Sequence, residues 1–269
     1  MPHTHDVTLE SDTVRKAYVS WDEGEADREW AALLHLAEHA PGLAPQPVRR
    51  TTHEGRPVVV MSRLPGEPLS GRVTGAVLDG LVAALERLFS VPVPTDLRPR
   101  ANGPSQADLR GRTAAWLDDP LDLGRCRDAG LVTEAASRAR GWLAAPGAHA
   151  EVVDPVVALG DGNLDNALWD GRACRLVDWE EFGTSDLAYE LADVVEHASA
   201  RLDRRLDADE LLDRFALTPA QAARVEEHRS LFACFWLTML LPGNRGFERN
   251  PEGSVEDQAR HVLRRLDGC

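Results

Sequence analysis

Asp161, Asn166 and Asp178 are the residues of this chain whose types and spacing suit chemistry. They stand in Gly160-Asp161-Gly162-Asn163-Leu164-Asp165-Asn166 and, twelve residues on, in Leu176-Val177-Asp178-Trp179-Glu180. A carboxylate, a carboxamide and a second carboxylate supply one group that can orient a hydroxyl and two hard oxygen ligands for magnesium. Phosphoryl transfer needs that set. Asp161-x-Asn163-x-Asp165 also opens like a calcium loop. Such a loop needs glycine at its sixth position and glutamate at its twelfth, and here Asn166 and Arg172 stand there. The calcium reading fails. Taken alone, the stretch is equally a solvated Asp/Asn turn.

The elements that must position these groups can be read from the flanking residues. Ala167-Leu168-Trp169 and Cys174-Arg175-Leu176-Val177 are apolar-biased runs around Asp170-Gly171, a two-residue turn signal. A hairpin there brings Asn166 and Asp178 to one end. Upstream, Val7–Leu9 and Val14–Val19 predict strands around Ser11-Asp12-Thr13, and the spacing of Trp30, Leu33, Leu34 and Ala37 predicts a helix over 26–39. Val48 and Pro57–Leu64 bracket a turn at His53-Glu54-Gly55. The continuously apolar Val58–Met61 suits a central strand. Pro65-Gly66-Glu67-Pro68 breaks the regular structure as a hinge. Beyond it the patterns are helical: 77–89, a Ser105-capped helix to Leu117, 132–143, 186–202, 208–215, 220–240 and 254–266. The expectation is an α+β fold of two lobes, a nucleotide-binding lobe at 1–64 and a mostly helical lobe at 65–269 carrying the hairpin and the acceptor site.

The chain has 269 residues, 43% of them hydrophobic, enough for a large core. A net charge of −14 argues against nucleic acid and anionic lipid as partners and is compatible with a cationic small molecule. No apolar run reaches the length of a membrane span. The N-terminus lacks the basic and apolar regions of a signal peptide, and four scattered cysteines fit a reducing cytoplasm. Of 30 basic residues a single one is lysine, Lys16. Arginine replaces lysine freely on a surface but poorly where a compact ammonium meets a phosphate, so Lys16 is a candidate phosphate ligand.

With the downstream Gly183-Thr184-Ser185-Asp186-Leu187-Ala188-Tyr189-Glu190-Leu191-Ala192, these motifs resemble the aminoglycoside phosphotransferase and choline kinase family, small-molecule kinases with a protein-kinase-like fold. The resemblance covers nearly the whole chain. It implies transfer of the γ-phosphate of ATP, or GTP, to a hydroxyl of an antibiotic or of a metabolite of choline or amino-sugar type. The different-class alternative is a pseudokinase that senses nucleotide or binds protein. By resemblance Asp161 is the catalytic aspartate, and Asn166 and Asp178 hold Mg²⁺. Lys16 binds phosphate with Glu29 as its helix partner, although Glu29 lies out of phase with Leu33 and Ala37 and also suits a solvated position. Ser11 stands where a phosphate loop would be, Met61 at the back of the pocket, and Ser62 and Leu64 offer backbone groups to adenine. Asp186 is expected to cap the next helix. Glu180, Glu190 and Asp193, with Glu181 and Glu196, are candidates to receive amines of the acceptor, against a reading as a solvated helix face. Two departures stand out. Leu159 replaces the family's histidine before Gly160-Asp161, and Ser11-Asp12-Thr13 replaces a glycine-rich loop. The identity of the acceptor and the oligomeric state are not written in the sequence.

Overall fold

The computed structural model describes residues 5–19, 24–101, 103–149, 151–202 and 205–267. Strands β1 (Asp6–Leu9) and β2 (Thr13–Ala17) pair antiparallel, with Lys16 opposite Val7. Helix α1 (Glu25–His39) follows, then β3 (Pro47–His53) and β4 (Arg56–Ser62). The β3–β4 turn places Glu54 at φ 50° and Gly55 at φ 79°, two left-handed residues of the kind a tight two-residue hairpin turn demands. The sheet order is β1-β2-β4-β3. β4 is thus the central strand that its apolar run predicts, and Val58 and Val59 are fully buried.

The segment expected to be only a hinge contributes a strand. β5 (Glu67–Pro68) pairs with β7 (Ala167–Trp169), which pairs with β8 (Cys174–Leu176). Helix α2 (Gly75–Phe89) packs on this small sheet, and Gly80 is the reason it sits so close. A Cβ there would lie 2.4 Å from the Trp169 ring. The β7–β8 connection, 170–173, is two residues longer than the two-residue hairpin turn expected. Asp170 Oδ1 accepts from the N–H groups of Arg172 and Ala173 at 2.8 and 2.9 Å, closing the loop through its side chain. A further pair, β6 (Pro155–Val157) with β9 (Thr184–Asp186), was not legible from the sequence.

The remaining helices are α3 (Gln106–Asp118), α4 (Ala129–Ala144), α5 (Leu187–Glu196), α6 (Ala198–Arg201), α7 (Ala208–Leu212), α8 (Pro219–Met239), α9 (Arg245–Arg249) and α10 (Ser254–Asp267). Ser105 caps α3 as its position predicts, accepting from Asp108 N–H at 3.1 Å. The single helix expected over 186–202 is split at His197, whose extended ψ of 141° ends α5 and whose ring caps α6. Leu109, Val132, Ala136, Leu231, Leu237 and Val262 belong to a buried core joining α3, α4, α8 and α10. No helix among the described residues is long and apolar enough to cross a membrane.

The chain divides into two compact units, 1–102 with 155–187, and 103–154 with 188–269. This line differs from a cut at residue 64. The first unit adds 65–102 and the β7–β8 hairpin to the small sheet, because Leu176 N–H bonds Leu43 O at 2.8 Å and Lys16 reaches Asp178.

Candidate active site

The 155–187 segment holds the chemistry-bearing loop. Asp161 follows β6 and is half-buried. Its Oδ1 accepts from Asn163 N–H at 3.1 Å, and its Oδ2 accepts from the Asn166 side-chain amide at 3.3 Å. Asn163 repeats the device, its Oδ1 taking Asp165 N–H at 3.1 Å and capping a short 3-10 turn, Leu164–Asn166. Asn166 then enters β7, and its carbonyl accepts Val177 N–H at 2.9 Å. That ladder bond puts Asn166 beside the residue preceding Asp178, as the hairpin reading requires. Because the Asn166 NH₂ points at Asp161, its amide oxygen is the atom left to serve as a ligand.

Asp178 sits at φ 71°, a left-handed conformation that a non-glycine residue adopts at a cost and that gathers at functional sites. Lys16 holds it there. The ammonium is buried, bonds Asp178 Oδ1, and lies 2.8 Å from Glu29 Oε2 and 2.7 Å from Glu180 Oε2. Glu29 is 1% exposed on the buried side of α1 with Ala26, Leu33 and Leu36. Its phase had suited solvent. The ion pair with Lys16 makes the buried position tolerable. Tyr18, two residues after Lys16 and just past the end of β2, donates its hydroxyl to Glu29. Glu29 Oε1 also takes Trp179 N–H at 3.4 Å.

The pKa shifts follow from this crowding. Burial alone would lower Lys16, but Glu29 and then Asp178 outweigh it and hold the ammonium charged well above the ordinary lysine value. Burial pushes Asp178 up to about 6, with Glu180 and Glu29 adding to the rise and Lys16 opposing it. For Glu180 burial also acts upward, but contacts with His5 and Lys16 prevail and hold it at about 2. Tyr18 is pushed far up by burial and by Glu29, so it remains a donor. Glu29, Asp178 and Glu180 each bring an oxygen within 4.8 Å of the others. Carboxylate and carboxamide oxygens are the donor set a magnesium ion prefers, and its charge would relieve the repulsion that raises Asp178. By donor type, Asn166 and Asp178 fit Mg²⁺.

The remaining sequence candidates are placed as follows. Ser11 is exposed in the β1–β2 turn and lines a shallow depression with Asp12, Arg63, Leu64 and Pro65. Met61 is buried at the end of β4. The Ser62 N–H is already given to Gln46 O at 2.9 Å and its hydroxyl accepts from Gln46 N–H. The Ser62 N–H is thus committed to Gln46, which narrows the expectation to its carbonyl. Asp186 is buried at the end of β9, directly before α5. Glu180 is committed to Lys16, and Glu190, Asp193 and Glu196 are buried on α5, so a solvated helix face does not describe them. Glu196 is engaged by Arg229 at 2.9 Å and His261 at 2.6 Å.

Sequence reasoning missed several participants. His5 is buried, accepts Val19 N–H on Nδ1 at 3.2 Å and sets Nε2 2.9 Å from Glu180. Arg28 Nε donates to the Glu180 carbonyl at 2.6 Å. Only Tyr18 carried a signal, its two-residue spacing from Lys16 in a strand.

The family model described as the phosphotransferase enzyme family matches residues 13–226. No curated protein sequence matches. Among solved structures, a choline/ethanolamine kinase family protein from Mesorhizobium loti is 15% identical with a TM-score of 0.62, covering 99% of this chain and 86% of its own. Aminoglycoside phosphotransferase APH(4)-Ia is 16% identical with a TM-score of 0.62, covering 97% and 93%. Choline kinase LicA from Streptococcus pneumoniae is 13% identical at 0.61, covering 100% and 91%. At such identities these likenesses speak to the fold, which is the kinase-like α+β arrangement expected.

Proposed function

Since the chain belongs to the phosphotransferase enzyme family and is a small-molecule kinase, we propose that it transfers the γ-phosphate of ATP, with Mg²⁺, to a hydroxyl of a small antibiotic-like molecule. The observation that carries this reading is the joint geometry of Asp161, Asn166 and Asp178, opposite a buried Lys16. Asp161, steadied by Asn163 N–H and the Asn166 amide, orients the acceptor hydroxyl and takes its proton late in transfer. Lys16 stays protonated and meets the nucleotide phosphates, with Glu29 fixing its position. Asn166 and Asp178 hold the magnesium ion, which when bound neutralises charge developing on the phosphates. The Ser62 carbonyl and Leu64 N–H meet adenine with Met61 behind them, and Ser11 lies over the phosphate side. For a cationic acceptor, Glu190 and Asp193 are the proposed recognition carboxylates, Glu180 being taken by Lys16.

An aminoglycoside-like acceptor is supported by a fold neighbour crystallised with AMP-PNP and hygromycin B, and a choline-like metabolite by the choline kinase neighbours. A cytoplasmic location belongs to the same proposal, ATP being an intracellular substrate. The test is a screen of aminoglycosides, choline and amino-sugars for ATP-dependent mass gain of one phosphate, repeated with Asp161→Asn. Turnover should vanish in that variant while its circular dichroism is unchanged. Undiminished transfer by Asp161→Asn would sink the assignment.

A further inference from the structure

Arg100 is 2% exposed, and its guanidinium donates to the carbonyl of Gly160, the residue immediately before Asp161. Few side chains are buried with a charge unless it does something specific. Gly160 is held at φ +84°, and a Cβ on it would lie 2.4 Å from Glu181 Cβ and 2.9 Å from the Glu181 carbonyl oxygen. The loop therefore enters Asp161 through a narrow backbone passage. In such a passage the Gly160–Asp161 peptide plane sets the direction in which Asp161 leaves. The atom that reports the tilt of that plane is the Gly160 oxygen, which Arg100 grips.

The grip is anchored at its other end. Arg100 N–H bonds Thr184 O at 3.1 Å, Thr184 N–H bonds Arg98 O at 2.8 Å, and Pro99 bridges Thr184 in parallel. Gly183 lets these strands touch, since a Cβ there would sit 2.3 Å from Arg100 N. Ala158 N–H in turn bonds Gly183 O at 2.8 Å. Three segments, 98–101, 158–161 and 181–184, thus cross at one point. The side chain at 159, between the strand and the loop, is an apolar leucine that brings no donor of its own.

We infer that Arg100 is a positioning residue. It fixes the peptide plane ahead of Asp161 and so the direction of the Asp161 carboxylate, and the inference rests on the phosphotransferase reading only for its kinetic arm. A guanidinium suits the task because its fork reaches a carbonyl with directional N–H bonds while its stem fills apolar space.

The test compares Arg100→Met and Arg100→Lys with the parent, all as full-length protein. Hydrogen exchange of the Asn163, Asp165 and Asn166 amides should quicken about tenfold or more in Arg100→Met, with α4 and α8 unchanged. ADP release from Mg·ATP, with water as acceptor, should lose between about 10- and 100-fold in kcat while KM for ATP stays within about twofold. Arg100→Lys should recover at least part of that loss. Unchanged loop exchange in Arg100→Met overturns the inference. So does an exchange increase spread through the whole unit, with kcat and KM falling together and no recovery by lysine, because that marks a merely structural residue. A parent that releases no ADP counts against the phosphotransferase reading, and the loop exchange still decides the role of Arg100.

Discussion

Lys16→Met removes the ammonium shared by Glu29, Asp178 and Glu180 and asks how much the site's charge balance is worth. At 2.7–2.8 Å and an effective dielectric of about 20, each attraction to Glu29 or Glu180 is about 6 kcal/mol. Three oxygens within 4.8 Å of one another repel by at least about 3 kcal/mol per pair on the same scale. Without the ammonium that repulsion loses the counter-charge the three carboxylates share, but the protein need not bear all of it. One carboxylate can take up a proton instead. From an unfolded value of about 4.4, doing so at about pH 7.5 costs about 4 kcal/mol, at 1.36 kcal/mol per unit. Neutralisation is the cheaper route, so the loss is capped near that figure, in line with the cost of breaking a buried ion pair. Urea unfolding should show Lys16→Met less stable by about 4 kcal/mol at about pH 7.5, with melting lowered by about 10 °C. The sign with pH follows. A carboxylate whose folded pKa is raised penalises the fold as pH rises from its unfolded to its folded value, so the deficit should shrink toward about pH 5. Adding Glu29→Gln should recover at least about 1 kcal/mol, since it removes one of the repelling charges. A deficit below about 1 kcal/mol at about pH 7.5, or one that grows on acidification, would refute the account.

Two further predictions rest on other parts of the fold. Gly160→Ala should destabilise by about 2–4 kcal/mol, from the left-handed φ of +84° and from the contact with Glu181 backbone, and its ADP release should fall more than its stability explains. In the second unit, burial pushes Glu196 upward, but the His261 hydrogen bond and the His261, Arg229 and Arg265 charges overcome it and hold the carboxyl below its ordinary value. A depressed folded pKa means stability present above about pH 4.5 and lost as pH falls through the lower folded value. Urea midpoints from about pH 6 to 3 should therefore drop less steeply in Glu196→Gln than in the parent, and equal slopes would exclude Glu196 as a source.

Local patterns carried most of the fold into view. Val58–Met61 announced a central strand by being apolar throughout, and Ser105 announced a helix start by its type. The hairpin around Asp170-Gly171 was legible because turn chemistry is local, though its two extra loop residues depended on where the Asp170 carboxylate bonds. β5, β6 and β9 were not, since strands of two or three residues have too few positions to show alternation. The same division runs through the candidate site. Asp161, Asn166 and Asp178 could be read from their spacing. Glu29 was read as the partner of Lys16 by resemblance, while its phase also suited solvent, because helical phase registers apolar neighbours and is blind to an ammonium arriving from a strand. His5, Arg28 and Arg100 gave no signal at all. Their roles arise from bonds to Glu180 and Gly160 across long stretches of chain, and among 29 arginines nothing local singles two of them out.

The separation of Lys16 from its partners bears on how the molecule is made. Asp178 lies 162 residues after Lys16 and Glu180 lies 164 after it, with 103–154 of the other unit synthesised between. At roughly 5–20 residues per second, a ribosome takes roughly 8–30 s to supply those carboxylates. For that interval β2 carries an ammonium whose burial only Glu29 can offset, and the loop that will hold Asp161 does not yet exist. The nascent N-terminal sheet is thus an unfinished object throughout most of translation, and its completion is timed by the arrival of one short hairpin.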